Sequence, residues 1–318
     1  MNTAIIILNF NNYNDTINCI ESVEKFNTAS VRYYVVDNAS SNDSVDILDS
    51  YFKKKADNSY LRVKDTGNAD NYNFKKYNFI VSDVNDGYAN GNNKGLLFAT
   101  KDETIENILI LNNDILFIED IIPFLIEKLD TIKDVGIVSP LLLKKDGETI
   151  DYNCARTNIS NWHLITNYLF LDHDFCGYRT RTNNQRYILK KNPELQEAEK
   201  VEIELPSGSC MMIKKEVFKA INFFDKNTFL FYEENILFKK LELINKKSLV
   251  IPRLRCIHLG GASRASSPST FIIRSEANSA KYYVDNYSNF NTFQKIIFHI
   301  VIKFFLTVLK IKDKLKKK

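Results

Sequence analysis

A chain of 318 residues with 44% hydrophobic content is long enough to bury a large core, as one big domain or one domain with an appendage. Its five cysteines are an odd number without a C-x-x-C spacing, which argues against a disulfide framework or a zinc site and points to a reducing cytoplasm. The net charge of +4 mostly reflects a lysine-rich carboxyl-terminal tail, and bases elsewhere are balanced by acids, so nothing favours a nucleic-acid partner.

The chain opens on an apolar run, Ala4 to Leu8, with no basic cluster before it, so it reads as a strand and not as a signal peptide. The run ends in Asn9-Phe10-Asn11-Asn12. A helical pattern from Asp15 to Lys25 places Ile17, Ile20 and Val23 on one face. Val31 to Val36 reads as a second strand, ending in Asp37-Asn38-Ala39-Ser40, and Asp43 to Lys54 as a second helix. Lys64 to Tyr77 is polar and reads as an exposed insertion. Phe79-Ile80-Val81 then leads into Asp83 and Asn85-Asp86-Gly87, a helix follows from Ala89 to Thr100, and Ile108 to Leu111 closes in Asn112-Asn113-Asp114. Strands alternating with helices predict βαβ units and a mostly parallel sheet. The polar tails of four strands then gather along its carboxyl edge, where open α/β sheets bind ligands.

Asn, Asp and Ser also form ordinary turns, but four such tails on one edge favour a ligand site, with Asp114 a candidate metal ligand. There is no G-x-G-x-x-G after the first strand and no G-x-x-x-x-G-K-[ST], which sets aside classical dinucleotide dehydrogenases and P-loop NTPases. In their place stands Asn85 to Gly95, a loop of glycine and asparagine running into a helix, whose amino terminus offers N–H groups to an anion, although glycines spaced by four also serve plain helix packing. A nucleoside diphosphate bridged to Asp114 by Mg²⁺ or Mn²⁺ suits this arrangement, since both ions prefer oxygen ligands.

Four of these runs, Ile5 to Asn11, Val35 to Ser44, Asn85 to Asn93 and Leu111 to Asp114, resemble in order and spacing the successive motifs of family 2 glycosyltransferases, especially the rhamnosyltransferase-like branch. In the second half, Val135 to Pro140 with the turn Lys145 to Glu148, Pro206 to Ile213, Phe229 to Asn235 and His258-Leu259-Gly260-Gly261-Ala262-Ser263 extend the resemblance to about residue 265. It implies a GT-A-like α/β fold, with a nucleotide-sugar-binding half at 1–115, an acceptor and catalytic half at 116–265, and a carboxyl-terminal helical segment at 266–318. By the same resemblance Asp37 holds the nucleoside, with Asn9, Asn11, Asn38, Asn85, Gly87, Asn93, Asn112 and Asn113 around the donor. Asn112-Asn113-Asp114 stands where the metal-binding D-x-D motif stands, with Asn112 replacing its first acid. Glu234 takes the place of the catalytic base, Glu233 is its alternative, and His258 is a contact for the metal or diphosphate. Ile236 stands where the family often has another acid.

Inverting transfer from an activated sugar needs one carboxylate base and a cation on the leaving diphosphate, unlike hydrolases, which need a carboxylate pair. The expected partners are a nucleoside-diphosphate sugar and a glycan or lipid-linked acceptor. Two other readings are a sugar-phosphate nucleotidyltransferase and a catalytically inactive nucleotide-binding scaffold, for which Ile236 is the one hint. Trp162 and Tyr168-Leu169-Phe170 read as core or acceptor-pocket wall, and Tyr178 to Lys200 as a loop near the acceptor. From Phe290 to Leu309 the chain is apolar but carries Lys295, His299 and Lys303 on one helical face, followed by the basic tail. This predicts an amphipathic helix for an anionic membrane surface on the cytoplasmic face, or for packing on the domain or a second subunit.

Overall fold

The computed structural model describes residues 3–66, 68–70, 72–169, 186–260 and 269–316. Gly261 to Ser263 of the closing motif, Phe170, Tyr178 to Gln185 and the boundary expected at 265 lie outside them.

Strand β1 (Thr3–Asn9) sits at the centre of the amino-terminal half, paired in parallel with β2 (Val31–Asn38) on one side and β5 (Asn107–Asn112) on the other. Beyond β2 come β4 (Tyr77–Ser82) and the edge strand β3 (Tyr60–Lys64), also parallel. The parallel helices that connect them are α1 (Tyr13–Phe26), α2 (Ser44–Ala56) and α3 (Gly87–Lys101). The direction of the sheet changes at β5. Through β6 (Ile115–Phe117), α4 (Ile122–Thr131) and β7 (Val135–Leu143) the chain reaches β8 (Ala155–Arg156), α5 (Asn161–Leu169), α6 (Ile188–Lys191), β9 (Val201–Ile203) and β10 (Leu205–Pro206). Strand β11 (Cys210–Lys214) then inserts antiparallel between β5 and β7, and β12 (Lys247–His258) lies parallel to β7 and antiparallel to β6 and β9. Helices α7 (Lys215–Ala220) and α8 (Glu233–Leu243) separate these last two strands.

Both faces of the sheet are covered, which is why its strands read as unbroken apolar runs. Side chains alternate along β1: Ile5 and Ile7 join Cys19, Ile20, Leu48 and Phe52 in one cluster, while Ala4 and Ile6 join Leu96, Phe98 and Leu237 in the other. The segment read as an exposed insertion is different in two ways. Its start belongs to β3, and Ala69, Tyr72 and Phe74 pack into the second cluster, Tyr72 with its ring centroid 5.4 Å from that of Phe98. Aromatic side chains spaced irregularly in a polar stretch carry no period, so their burial is invisible to a pattern search.

Two carboxyl-terminal helices, α9 (Ser269–Asn286) and α10 (Thr292–Lys316), form a third cluster with α5. Its members include Leu164, Tyr168, Ala280, Val284, Phe298, Ile302 and Phe305, and it reaches α8 through Ile236. Ile236 therefore fills a packing position, which is a sufficient reason for an apolar residue there. Trp162 is half exposed and is not core. Lys295 and His299 do not face solvent freely: the Lys295 ammonium donates to the Asp285 carbonyl at 3.2 Å, and His299 Nε2 lies 2.7 Å from Asp285 Oδ1. The side of α10 left uncovered instead carries Phe293, Ile296, Ile300, Phe304 and Ile311, all more than half exposed.

Candidate functional site

The tails of β1 and β2 end in register, Asn9 beside Asp37. Asp37 is fully buried and heavily bonded: its Oδ2 accepts from the Asn9 amide at 2.7 Å and the Ser40 hydroxyl at 2.7 Å, and its Oδ1 accepts from the Ser40 N–H at 2.9 Å. Thr16 of α1 donates to Asn9 Oδ1 at 2.8 Å, and the Asn11 N–H donates to the Ser40 hydroxyl at 2.8 Å. Asn11 and Ala39 both adopt left-handed backbone, with φ of 55° and 61°, so two bent tails are locked to each other across the edge. Three donors leave a carboxylate little further capacity, so Asp37 offers at most one lone pair to a ligand.

Asn38 crosses to the next tail, its amide donating to Asn85 Oδ1 at 2.9 Å and to the Gly87 carbonyl at 3.1 Å. Two N–H groups at the start of α3 have partners within the protein: that of Gly87 donates to Asn85 Oδ1 at 3.0 Å and that of Tyr88 to the Phe229 carbonyl at 2.9 Å. A Cβ on Gly91 would lie 2.5 Å from Leu8 Cδ1 and one on Gly95 2.6 Å from Ile6 Cγ2, so these glycines seat α3 against β1. Asn93 exchanges hydrogen bonds with Phe224, receiving its N–H at 3.1 Å and donating to its carbonyl at 3.0 Å. Gly87 and Asn93 thus tie α3 to the segment Phe224 to Phe229, while Asn85 links α3 to Asn38.

At the end of β5 the three residues of the expected metal motif diverge. Asn112 donates to the Ser209 hydroxyl at 3.2 Å, and Asn113 turns inward to Thr16 Oγ1 at 3.0 Å and the Asn12 carbonyl at 3.3 Å. Asp114 is buried; its Oδ2 lies 3.5 Å from His258 Nε2, and its Oδ1 has no hydrogen-bond partner. His258 closes β12, whose pairing with β6 sets it opposite Ile115, and its Nδ1 lies 2.9 Å from Asp151 Oδ2. Burial disfavours charge on His258, but the hydrogen bonds and charges of Asp114 and Asp151 outweigh it and hold the imidazole up at about 9. Burial likewise opposes charge on Asp151, yet His258 and the Asn153 donors bring that carboxyl down to about 2.

A divalent cation fits this end of the site. A buried carboxylate oxygen without a partner costs free energy until something positive meets it, and an imidazole stands beside it. Among the described residues no group of three or more His, Cys, Asp and Glu side chains is placed to hold a metal, so Asp114 and His258 would share the ion with ligand oxygens.

The acid pair opens α8, near Gly208 and Ser209. Phe231 and Tyr232 both adopt left-handed backbone, φ 71° and 67°, conformations that bulky residues rarely hold, and the kink sets the start of α8. Glu233 is buried, whereas the Glu234 side chain is 22% exposed. Glu234 Oε1 accepts the Gly208 N–H at 3.1 Å and lies 3.6 Å from Arg156 Nη2. Tyr88 donates to the Gly208 carbonyl at 2.6 Å, tying the glycine loop to the same point. Of the site's supporting residues, Ser40 and Ser209 lay in runs already singled out, whereas Asp151, Arg156 and Thr16 have no local pattern that marks them.

The profile of the family described as "Glycosyl transferase family 2" matches residues 4–221. The low-salt glycan biosynthesis hexosyltransferase Agl10 of Haloferax volcanii is 29% identical over 160 residues, covering 49% of this chain and 43% of that relative. Among solved structures, GalNAc-T7 with UDP, GalNAc and Mn²⁺ superposes with a TM-score of 0.60 at 13% identity, over 89% of this chain and 47% of that one. The mannosyltransferase PcManGT from Pyrobaculum calidifontis, in complex with GDP-Man and Mn²⁺, gives 0.55 at 12% identity, over 93% and 68%. The chain spans less than half the length of Agl10 and of GalNAc-T7. The likeness to the two structures shows a GT-A fold. With more than half its length matched by one profile, the chain belongs to glycosyl transferase family 2.

Proposed function

We propose that the chain is a glycosyltransferase that works with inversion and with Mg²⁺ or Mn²⁺, moving a sugar from a nucleoside diphosphate to a hydroxyl of a glycan or lipid-linked acceptor in surface polysaccharide or glycolipid synthesis. The observation that carries the reading is the division of the acids: Asp114 is buried with one oxygen that has no hydrogen-bond partner, and Glu234 is partly exposed. One buried carboxylate for a cation and one accessible carboxylate for a proton are what a single displacement requires.

Asp114 and His258 would hold the cation, which when bound stabilises the charge of the departing diphosphate. Asp37, with Asn9, Asn11 and Asn38, shapes the nucleoside end of the cleft. Glu234 accepts the acceptor's hydroxyl proton while the Gly208 N–H fixes its carboxylate. Glu233, being buried, supports the start of α8.

Attachment to an anionic membrane on the cytoplasmic face is part of the proposal. Thr292–Ile311 is long and apolar enough to cross a membrane by length and composition, with 28% of it buried. One side packs on α5 and α9 through Phe298, Val301, Ile302 and Phe305, which favours a helix lying on the surface over one spanning it. The Phe293-Ile296-Ile300-Phe304 stripe would enter the lipid, with Lys303 and Lys310 at its margins.

Incubating the protein with UDP-, dTDP- and GDP-sugars and either cation, and measuring release of the nucleoside diphosphate, tests the reading. One donor class should be hydrolysed, and chelation should stop it. Cation-independent turnover would overturn the metal role.

A further inference from the structure

We infer that Asp151 is a positioning residue for the metal end of the cleft, setting the tautomer and ring orientation of His258. The inference rests on the reading of Asp114 and His258 as the pair that holds the cation. His258 Nδ1 lies 2.9 Å from Asp151 Oδ2, and its Nε2 faces Asp114 and the Ser209 hydroxyl, each at 3.5 Å. A neutral imidazole has one N–H and one lone pair. On the neutral ring that a cation requires, the nearer carboxylate, Asp151 at 2.9 Å, keeps the proton on Nδ1, and the Nε2 lone pair is left for an ion shared with Asp114, whose Oδ1 has no partner.

Asp151 is itself rigidly held. Its Oδ1 accepts from the Asn153 N–H at 3.1 Å and the Asn153 amide at 2.8 Å, capping the helical turn Tyr152–Cys154. Its own N–H donates to the Leu142 carbonyl at 2.8 Å, next to β7 residues that pair with β12. One oxygen therefore anchors the loop and the other holds the ring. The residue sits 107 positions from His258 in the chain, and the β7–β12 pairing brings the two together. An orienting carboxylate behind a histidine ligand typically changes metal affinity by roughly 10- to 100-fold.

Asp151→Asn is the informative variant, because its side-chain oxygen still caps the Asn153 N–H while the negative acceptor is lost. Mn²⁺ binding is read from the loss of the free-ion EPR signal, for the full chain and for Asp151→Asn, His258→Gln and the double variant. The expected result is an affinity lowered roughly 10-fold or more by Asp151→Asn, and no further loss when Asp151→Asn is added to His258→Gln. Weakening by His258→Gln alone overturns the positioning role and leaves the ligand reading standing. Equal losses from Asp151→Asn with and without His258 overturn it too, since the aspartate would then act on its own. No loss in His258→Gln overturns both. A measurement on the unaltered protein stands apart from folding of the variants: nitrogen NMR at a pH where His258 is neutral should show the proton on Nδ1, and a proton on Nε2 overturns the inference.

Discussion

Gly87 lies against the backbone of Phe229: the N–H of the following Tyr88 donates to the Phe229 carbonyl at 2.9 Å, and a Cβ on Gly87 would stand 1.9 Å from that oxygen. The contact joins the start of α3 to the segment leading to Glu234. Gly87 also has φ +82°, so a side chain there meets both strain and a backbone clash. Gly87→Ala should lower stability by about 3 kcal/mol in urea unfolding, where strained or overpacked sites usually fall. Wild-type stability in that variant would show that the two segments separate easily.

Asp114→Asn keeps the size of the side chain and removes the charge that a cation would meet. Calorimetry with Mn²⁺ and the nucleoside diphosphate of the active donor should show affinity falling roughly 100-fold, with the unfolding midpoint little changed. An undiminished affinity would remove Asp114 from the metal site.

Asp37 is predicted to behave less selectively. Asp37→Ala takes the acceptor from the buried Asn9 amide and the partly buried Ser40 donors, a loss of about 1–3 kcal/mol of stability. Donor and free nucleotide should both bind more weakly, by similar factors, as expected for uniform binding. Normal nucleotide affinity in a destabilised variant would make Asp37 a brace for the turn alone.

Glu234→Gln removes proton acceptance while preserving shape. Transfer to acceptor should fall by roughly 100-fold or more, with donor affinity near wild type. Glu233→Gln should act mainly on stability, because Glu233 is buried beneath the start of α8. If the effects are exchanged, Glu233 is the base.

Deleting the carboxyl-terminal segment would be a poor test of membrane binding, because Phe298, Ile302 and Phe305 share a core with Ile236 of α8. Ile300→Glu with Phe304→Glu alters only exposed positions. The double variant should no longer sediment with phosphatidylglycerol vesicles at low salt, whereas donor hydrolysis should persist. Equal sedimentation of the variant and the wild-type chain would point the stripe at another occupant, such as a second subunit.

Local patterning determined the strands β1, β2, β4 and β5, the helices between them, and the polar tails at one edge, because strand and helix periods and turn formers are properties of neighbouring residues. The order of the motifs likewise marked Asp114, Glu234 and His258. Which side chains face the cleft was decided only by tertiary contact. Asn113 and Asp114 are adjacent, yet one is drawn inward by Thr16 and the other is left beside His258, 144 positions away in the chain. Gly87, Gly91 and Gly95 have the look of a phosphate loop, and the close approach of α3 to β1 and Phe229 turns them into packing residues. Lys295 and His299 share a polar helical face that α9 covers through Asp285. In each case the competing partners are far apart in sequence, and only the strand order that brings them within hydrogen-bond reach selects among them.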